Sequence, residues 1–286
     1  MGQIAQAAKI THVPTIWMSH TMDQFRGIRQ PAIDGFAKLR QQAQDAGVET
    51  FLIFDCHWIT NQGFHLNAAE RHSGIFTSHE LPHMLADLEY DHAGDPELAD
   101  IIADGIGEAG LKSIPHRQTG LGCEYGTLLP MHFINQGLGA RVLPMAINQF
   151  SSIDENRRAG AAIARAIEKS GRRVAIYASG SLSHAFWPND KSEAGMNAIN
   201  GEFNRQMDLR VMDLWADGQW DAFLDMLPDY AIRCQGECNM NDTALLFGAL
   251  GWKDYQGRAE VFTPYFPSSG TGQTNVSFSV DQGGAP

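Results

Sequence analysis

The sequence predicts a layered α/β domain with a mainly parallel or mixed central sheet and helices on both faces. Three observations carry this prediction. Strand-like apolar runs alternate with helical stripes, caps mark the ends of several of those stripes, and one run is apolar throughout, as a strand covered on both sides must be.

In order, residues 9–13 read as a short strand stopped by Pro14, and Ile33, Phe36, Ala37, Arg40 and Ala43 then follow helical spacing up to Gly47. Residues 51–55 form the continuous apolar run, with Asp55, Cys56, His57 and Trp58 placed at its carboxyl end. Pro96 opens a helix with the stripe Leu98, Ile101, Ile102 and Ile106, closed by Gly110. A strand over 141–147, a helix capped by Ser152 and Glu155 and closed at Gly171, and a strand over 173–178 make a second β-α-β unit. Phe203, Met207, Arg210, Val211 and Leu214 share one helix face. Residues 220–227 form a helix ended by Pro228, 242–250 a short helix ended by Gly251, and 275–278 a last strand. No composition break or repeat divides the chain, so residues 1–286 are expected to form a single domain.

Composition excludes several classes of function. The 286 residues carry 21 Lys+Arg against 33 Asp+Glu, a net charge of −12, and such a surface repels phosphate. Nucleic acid and anionic membrane are therefore not expected partners. No apolar run approaches the ~20 residues that cross a bilayer, the start lacks a signal-peptide core, and a cytoplasmic protein is expected. Cys56, Cys123, Cys234 and Cys238 fit neither a zinc finger nor a disulfide framework and read as free thiols.

In open α/β sheets ligands bind beyond the carboxyl ends of the strands. Here that rule selects His12, the Asp55-Cys56-His57 end, and the segment from Gly180 to His184. If His12 and His57 lay on neighbouring strands they could share a metal, and a carboxylate from a later loop would complete a two-histidine, one-carboxylate face. Glu237, in the non-periodic loop Gln235-Gly236-Glu237-Cys238-Asn239, is the candidate, although spacing alone favours a solvated loop glutamate. Ser181 and Ser183 lack the G-x-S-x-G elbow of a serine hydrolase, and the glycine-rich stretch 269–273 lacks both nucleotide-binding patterns.

Ordered motifs extend this reading: Ala8-Lys9-Ile10-Thr11-His12-Val13-Pro14, Phe54-Asp55-Cys56-His57-Trp58, Glu80-Leu81-Pro82-His83, Glu124-Tyr125-Gly126-Thr127-Leu128, the stretch from Ala178 to His184, Gly236-Glu237-Cys238-Asn239-Met240, and the tail from Ser268 to Gln273. In these the chain resembles the class III extradiol ring-cleaving dioxygenases of the protocatechuate 4,5-dioxygenase-like superfamily, and within it the homoprotocatechuate-cleaving branch. The resemblance implies Fe(II) held by His12, His57 and Glu237, with His184 as acid/base catalyst. It further implies O2 and a small aromatic diol, 3,4-dihydroxyphenylacetate, as substrates, and a homo-oligomer, tetrameric in related proteins. Tyr125 stands where several relatives carry a histidine, a departure shared with the homoprotocatechuate and aminophenol branches; its phenol would orient the substrate or the oxygen. The same site acting on catechol, a methylcatechol or 2-aminophenol is the alternative, followed by a non-catalytic partner subunit or a zinc hydrolase on this fold.

Overall fold

A computed structural model of the chain describes residues 1–280; residues 281–286, over which the single-domain reading also ran, lie outside the described residues. The elements are β1 (Gln3–Ile10), α1 (Thr15–Thr21), α2 (Gln30–Asp45), β2 (Thr50–Thr60), β3 (Phe64–Asn67), β4 (Arg71–Phe76), β5 (Leu88–Ala93), α3 (Pro96–Glu108), β6 (Ser113–His116), α4 (Tyr125–Ile134), β7 (Arg141–Asn148), α5 (Ile153–Ser170), β8 (Arg173–Ser179), α6 (Glu202–Ala216), α7 (Trp220–Arg233), α8 (Asn241–Leu250), β9 (Ala259–Ser268) and β10 (Thr271–Phe278).

Eight strands form one sheet in the order β6-β3-β7-β2-β8-β1-β10-β9, and β4 pairs with β5 apart from it. The central strands β7, β2, β8 and β1 are parallel. Antiparallel β10 and β9 extend one side, and β3 joins β7 antiparallel on the other. The sheet is therefore mixed, as the composition of the predicted elements allowed.

Side chains alternate faces along each central strand. Leu52 and Phe54 of β2 with Ile176 of β8 face a core built with α3, α5, α6, α7 and α8. Phe51 and Ile53 with Tyr177 face a second core under α1, α2 and α4. Both faces are buried, which is why residues 51–55 could not alternate with polar residues. The α5 cap matches its signature: Ser152 accepts from the Glu155 amide, Glu155 returns a bond to the Ser152 amide, and Gly171 closes the helix at φ 74°.

Three boundaries differ from expectation. β1 begins at Gln3 and ends at Ile10, because from Thr11 the backbone leaves the ladder and its amide bonds the Asn275 side chain. Pro228 lies inside α7, which continues to Arg233: the buried stripe Phe223, Leu224, Leu227, Tyr230 and Ala231 carries the helix past the missing amide. β10 starts at Thr271 rather than Asn275, so the glycine-rich stretch is a hairpin with Ser269 and Gly270 at its tip, both at positive φ.

Candidate metal centre

The site lies at the carboxyl ends of the parallel strands. His12 follows β1 and His57 sits near the end of β2, but these strands are not neighbours; β8 runs between them. The two rings meet across its end, 4.8 Å apart between centroids. His57 reaches the site because the β2–β7 register slips between Asp55 and Ile59, a bulge that turns residues 56–58 out of the ladder. Asp55, fully buried, fixes that bulge by accepting from the His57 amide at 2.8 Å and from the Thr127 hydroxyl at 2.6 Å.

Glu237 enters from the turn between α7 and α8. Gln235, Cys238, Asn239 and Met240 all have positive φ, a run of left-handed non-glycine residues that local preference would not choose. What holds it is tertiary. Glu237 Oε2 accepts a short bond from the Ser181 amide, the Glu237 amide bonds the Leu182 carbonyl, and Cys238 Sγ lies 3.0 Å from the Cys56 carbonyl.

Glu237 Oε1 then lies 3.2 Å from His12 Nε2 and 3.6 Å from His57 Nε2. All three donor atoms fall within 4.8 Å of one another, and His12 and Glu237 are buried. Atoms that each sit about 2 Å from one ion are at most about 4 Å apart, and the 3.2 and 3.6 Å separations from Glu237 fall inside that limit. Burial raises the Glu237 pKa, but His184, His12 and His57 more than offset it and hold the carboxyl well below its usual range. Burial and the neighbouring His12 press His57 down to about 3, leaving a neutral imidazole with a lone pair to give.

His184 stands one step outside this group, its Nε2 3.9 Å from Glu237 Oε1, a quarter exposed, with Phe186 edge-on against its ring. Its backbone is fixed by the bond from its amide to the Gln235 carbonyl and by Asp208, which accepts from the amide and hydroxyl of Ser183. Tyr125 opens α4, stacks on His57 at 3.8 Å between centroids, and donates to Glu80 at 3.3 Å. Burial, with Glu80 and Glu237 nearby, pushes the phenol pKa upward, so Tyr125 remains a donor.

His12, His57, Tyr125, Ser181 and His184 line one pocket with Thr15, Glu80, Phe186 and Ser268 among its other walls. Two roomier clefts lie elsewhere, beside His92 and His132 and beside Arg71 and Arg117, and neither borders the donor atoms. Of Trp17, Trp58, Phe186 and Trp187, the aromatic residues that adjoin site residues in sequence, only Phe186 lines the pocket. The indoles of Trp17 and Trp187 instead bond the Ala86 and Ala198 carbonyls, and Trp58 lies near His116. Sequence reasoning singled out neither Glu80 nor Ser179 for a role. Ser179 ends β8 beside Gly180, so the strand-end rule could have found it.

A site of this kind, at the strand ends of a mixed α/β sheet and with two imidazoles and one buried carboxylate brought together, could hold a metal ion beside a small molecule in the adjoining pocket. Residues 6–279 match the family described as the catalytic LigB subunit of aromatic ring-opening dioxygenase, and the chain belongs to that family. It is a ring-cleaving dioxygenase of the extradiol class. Over 269 residues it is 41% identical to 3,4-dihydroxyphenylacetate 2,3-dioxygenase of Escherichia coli, covering 93% of this chain and 97% of that protein. It is 22% identical over 259 residues to the 2-aminophenol 1,6-dioxygenase beta subunit of a Pseudomonas species, covering 87% and 84%. The crystal structure of an uncharacterized Escherichia coli K12 protein shares the fold, with a TM-score of 0.63 at 14% identity over 96% of this chain and 99% of that one. No helix among the described residues is long and apolar enough to cross a membrane.

Proposed function

We propose that the protein is an Fe(II)-dependent extradiol dioxygenase that opens the ring of 3,4-dihydroxyphenylacetate beside its hydroxyls, giving a hydroxymuconate semialdehyde in aromatic catabolism. The observation that carries the metal is the convergence of the His12, His57 and Glu237 donor atoms on one point, with both histidines lining the pocket. The substrate rests on the likeness to the Escherichia coli enzyme. The donor set fits iron: two neutral imidazoles and one carboxylate offset only part of a ferrous charge and leave coordination positions for small ligands. When bound, Fe(II) supplies the one-electron chemistry through which a spin-paired catechol can react with triplet oxygen.

The chain does the rest. Glu237, anionic and bonded to the Ser181 amide, keeps one oxygen turned toward the histidines. His184 takes the proton of a catechol hydroxyl on a ring nitrogen and returns it as the ring opens, a task imidazole suits near neutral pH. Tyr125 orients the reacting oxygens by turning its one phenolic hydrogen from Glu80 to them. Leu81, Met84 and Phe186 give the pocket an apolar wall that limits water. One catechol and one O2 yield one product, with no external reductant.

The test is oxygen uptake by the anaerobically iron-loaded protein on adding 3,4-dihydroxyphenylacetate, followed with the absorbance of the product. One O2 per substrate and a yellow product are expected. Uptake only with 2-aminophenol would move the reading to the chemistry named for the Pseudomonas relative. No uptake with any ortho-substituted phenol would overturn the reading and favour hydrolysis or a non-catalytic subunit. We further infer a homo-oligomer, tetrameric by family resemblance, in the cytoplasm. The free thiols of Cys56, Cys123, Cys234 and Cys238 fit a reducing compartment, and the mass in solution decides the subunit number.

A further inference from the structure

Arg29 lies between α1 and α2, a stretch in which sequence reasoning singled out no functional residue. It is 7% exposed, and none of the acidic side chains among the described residues pairs with it, although the chain carries a net charge of −12. Its Nη2 donates to Asn197 Oδ1 at 2.6 Å, its Nε donates to Thr15 Oγ1 at 3.0 Å, and its guanidinium lies 5.0 Å over the Phe266 ring. Neutral partners solvate such a cation but leave its charge unbalanced, and burial pulls its pKa down to about 10.

A guanidinium only donates, so Thr15 Oγ1 accepts from Arg29. Thr15 Oγ1 and Ser268 Oγ lie 3.0 Å apart and either hydroxyl can donate to the other. Whichever donates, one hydroxyl hydrogen of the pair is left with no acceptor among the described residues. Thr15 and Ser268 both line the pocket that holds His12, His57 and His184. Among the described residues, the one acid lining that pocket is Glu80, placed with Tyr125 and His57. A donor chain thus begins at a permanent positive charge and ends at the pocket wall, which is the arrangement an anionic substituent requires.

We propose that Arg29 determines specificity by supplying the counter-charge for the side-chain carboxylate of the substrate, which docks against the Thr15 and Ser268 hydroxyls. This rests on the reading that the substrate is a catechol bearing such a carboxylate. Arg29 acts through Thr15 and Ser268 and is a positioning residue; it has no part in proton transfer at the ring.

The experiment compares kcat/KM for 3,4-dihydroxyphenylacetate, its neutral amide and 4-methylcatechol in the iron-loaded wild type and in Arg29→Met. The wild type should prefer the acid, and Arg29→Met should lower the acid-to-methylcatechol ratio about 10²-fold or more, with the loss in KM and in anaerobic substrate affinity. An unchanged ratio in Arg29→Met, whether or not overall activity falls, overturns the proposal. If the wild type turns over catechols without preferring the acid to its amide, the substrate reading fails and the proposal with it. No turnover of any catechol is instead the failure of the enzymatic reading. Should Arg29→Met not fold, Arg29→Gln and Thr15→Val decide: the first removes the charge and the second removes the hydroxyl between Arg29 and Ser268, and a retained preference for the acid in both overturns the proposal.

Discussion

Ser179 Oγ lies 3.0 Å from His12 Nδ1 and gives its own hydrogen to the Gly126 carbonyl at 2.5 Å. Because that hydroxyl is already donating, it must accept from His12, so Nδ1 carries a hydrogen and Nε2 is the ring atom turned to Glu237. A serine at the end of β8 therefore selects the tautomer that can bind metal. Ser179→Ala should weaken iron binding about 10-fold to 100-fold while the protein still folds. Metal titration checks it, and an unaltered affinity would remove Ser179 from that role.

Glu237 and His184 should separate cleanly. Glu237→Ala should lose iron, as measured by metal content after desalting. His184→Ala should retain iron but turn over about 10²–10⁴-fold more slowly. Full activity in His184→Ala would exclude it as the acid/base group, and normal iron in Glu237→Ala would exclude that residue as a ligand.

Tyr125→Phe keeps the ring on His57 and removes only the hydroxyl. Iron content should stay normal while kcat falls by about 10²-fold, the low end expected when one donor to a reacting oxygen is lost. An unchanged kcat would reduce Tyr125 to packing.

Gly126 has no room for a methyl group: a Cβ there would lie 2.0 Å from Asp55 Oδ1, the oxygen that holds the His57 amide. Gly126→Ala should lower stability by about 1–3 kcal/mol through overpacking and should disturb the His57 bulge. Thermal unfolding reads the first effect and metal affinity the second; a variant unchanged in both would show that Asp55 can move freely.

Glu155 gives a pH test away from the site. Its bonds from Ser152 hold its carboxyl below 4.5 in the folded state. A folded pKa lower than the unfolded one contributes stability that is present above about pH 4.5 and lost as pH falls through the folded value. Glu155→Gln should therefore be less stable than wild type at pH 7, with a smaller gap at pH 3.5. Denaturant unfolding at both pH values measures it, and a constant gap would contradict the linkage.

The sequence by itself determined the alternation of strands and helices, the doubly buried strand at 51–55, the α5 capping box, and the residues at the strand ends, since local sterics and period-2 or period-3.6 burial are written residue by residue. Its family resemblance supplied a likeness to which His12, His57, Tyr125, His184 and Glu237 could be assigned. α4 escaped periodic reading because it is buried nearly all round and has no polar face to contrast. Only the tertiary structure decided that β8 lies between the histidine-bearing strands, that a bulge turns His57 inward, and that left-handed residues around Glu237 are held in place. It also decided that Arg29, distant in sequence from Ser268, stands behind the same pocket. These are contacts between segments far apart in the chain, and their energies exceed the local preferences that a sequence displays.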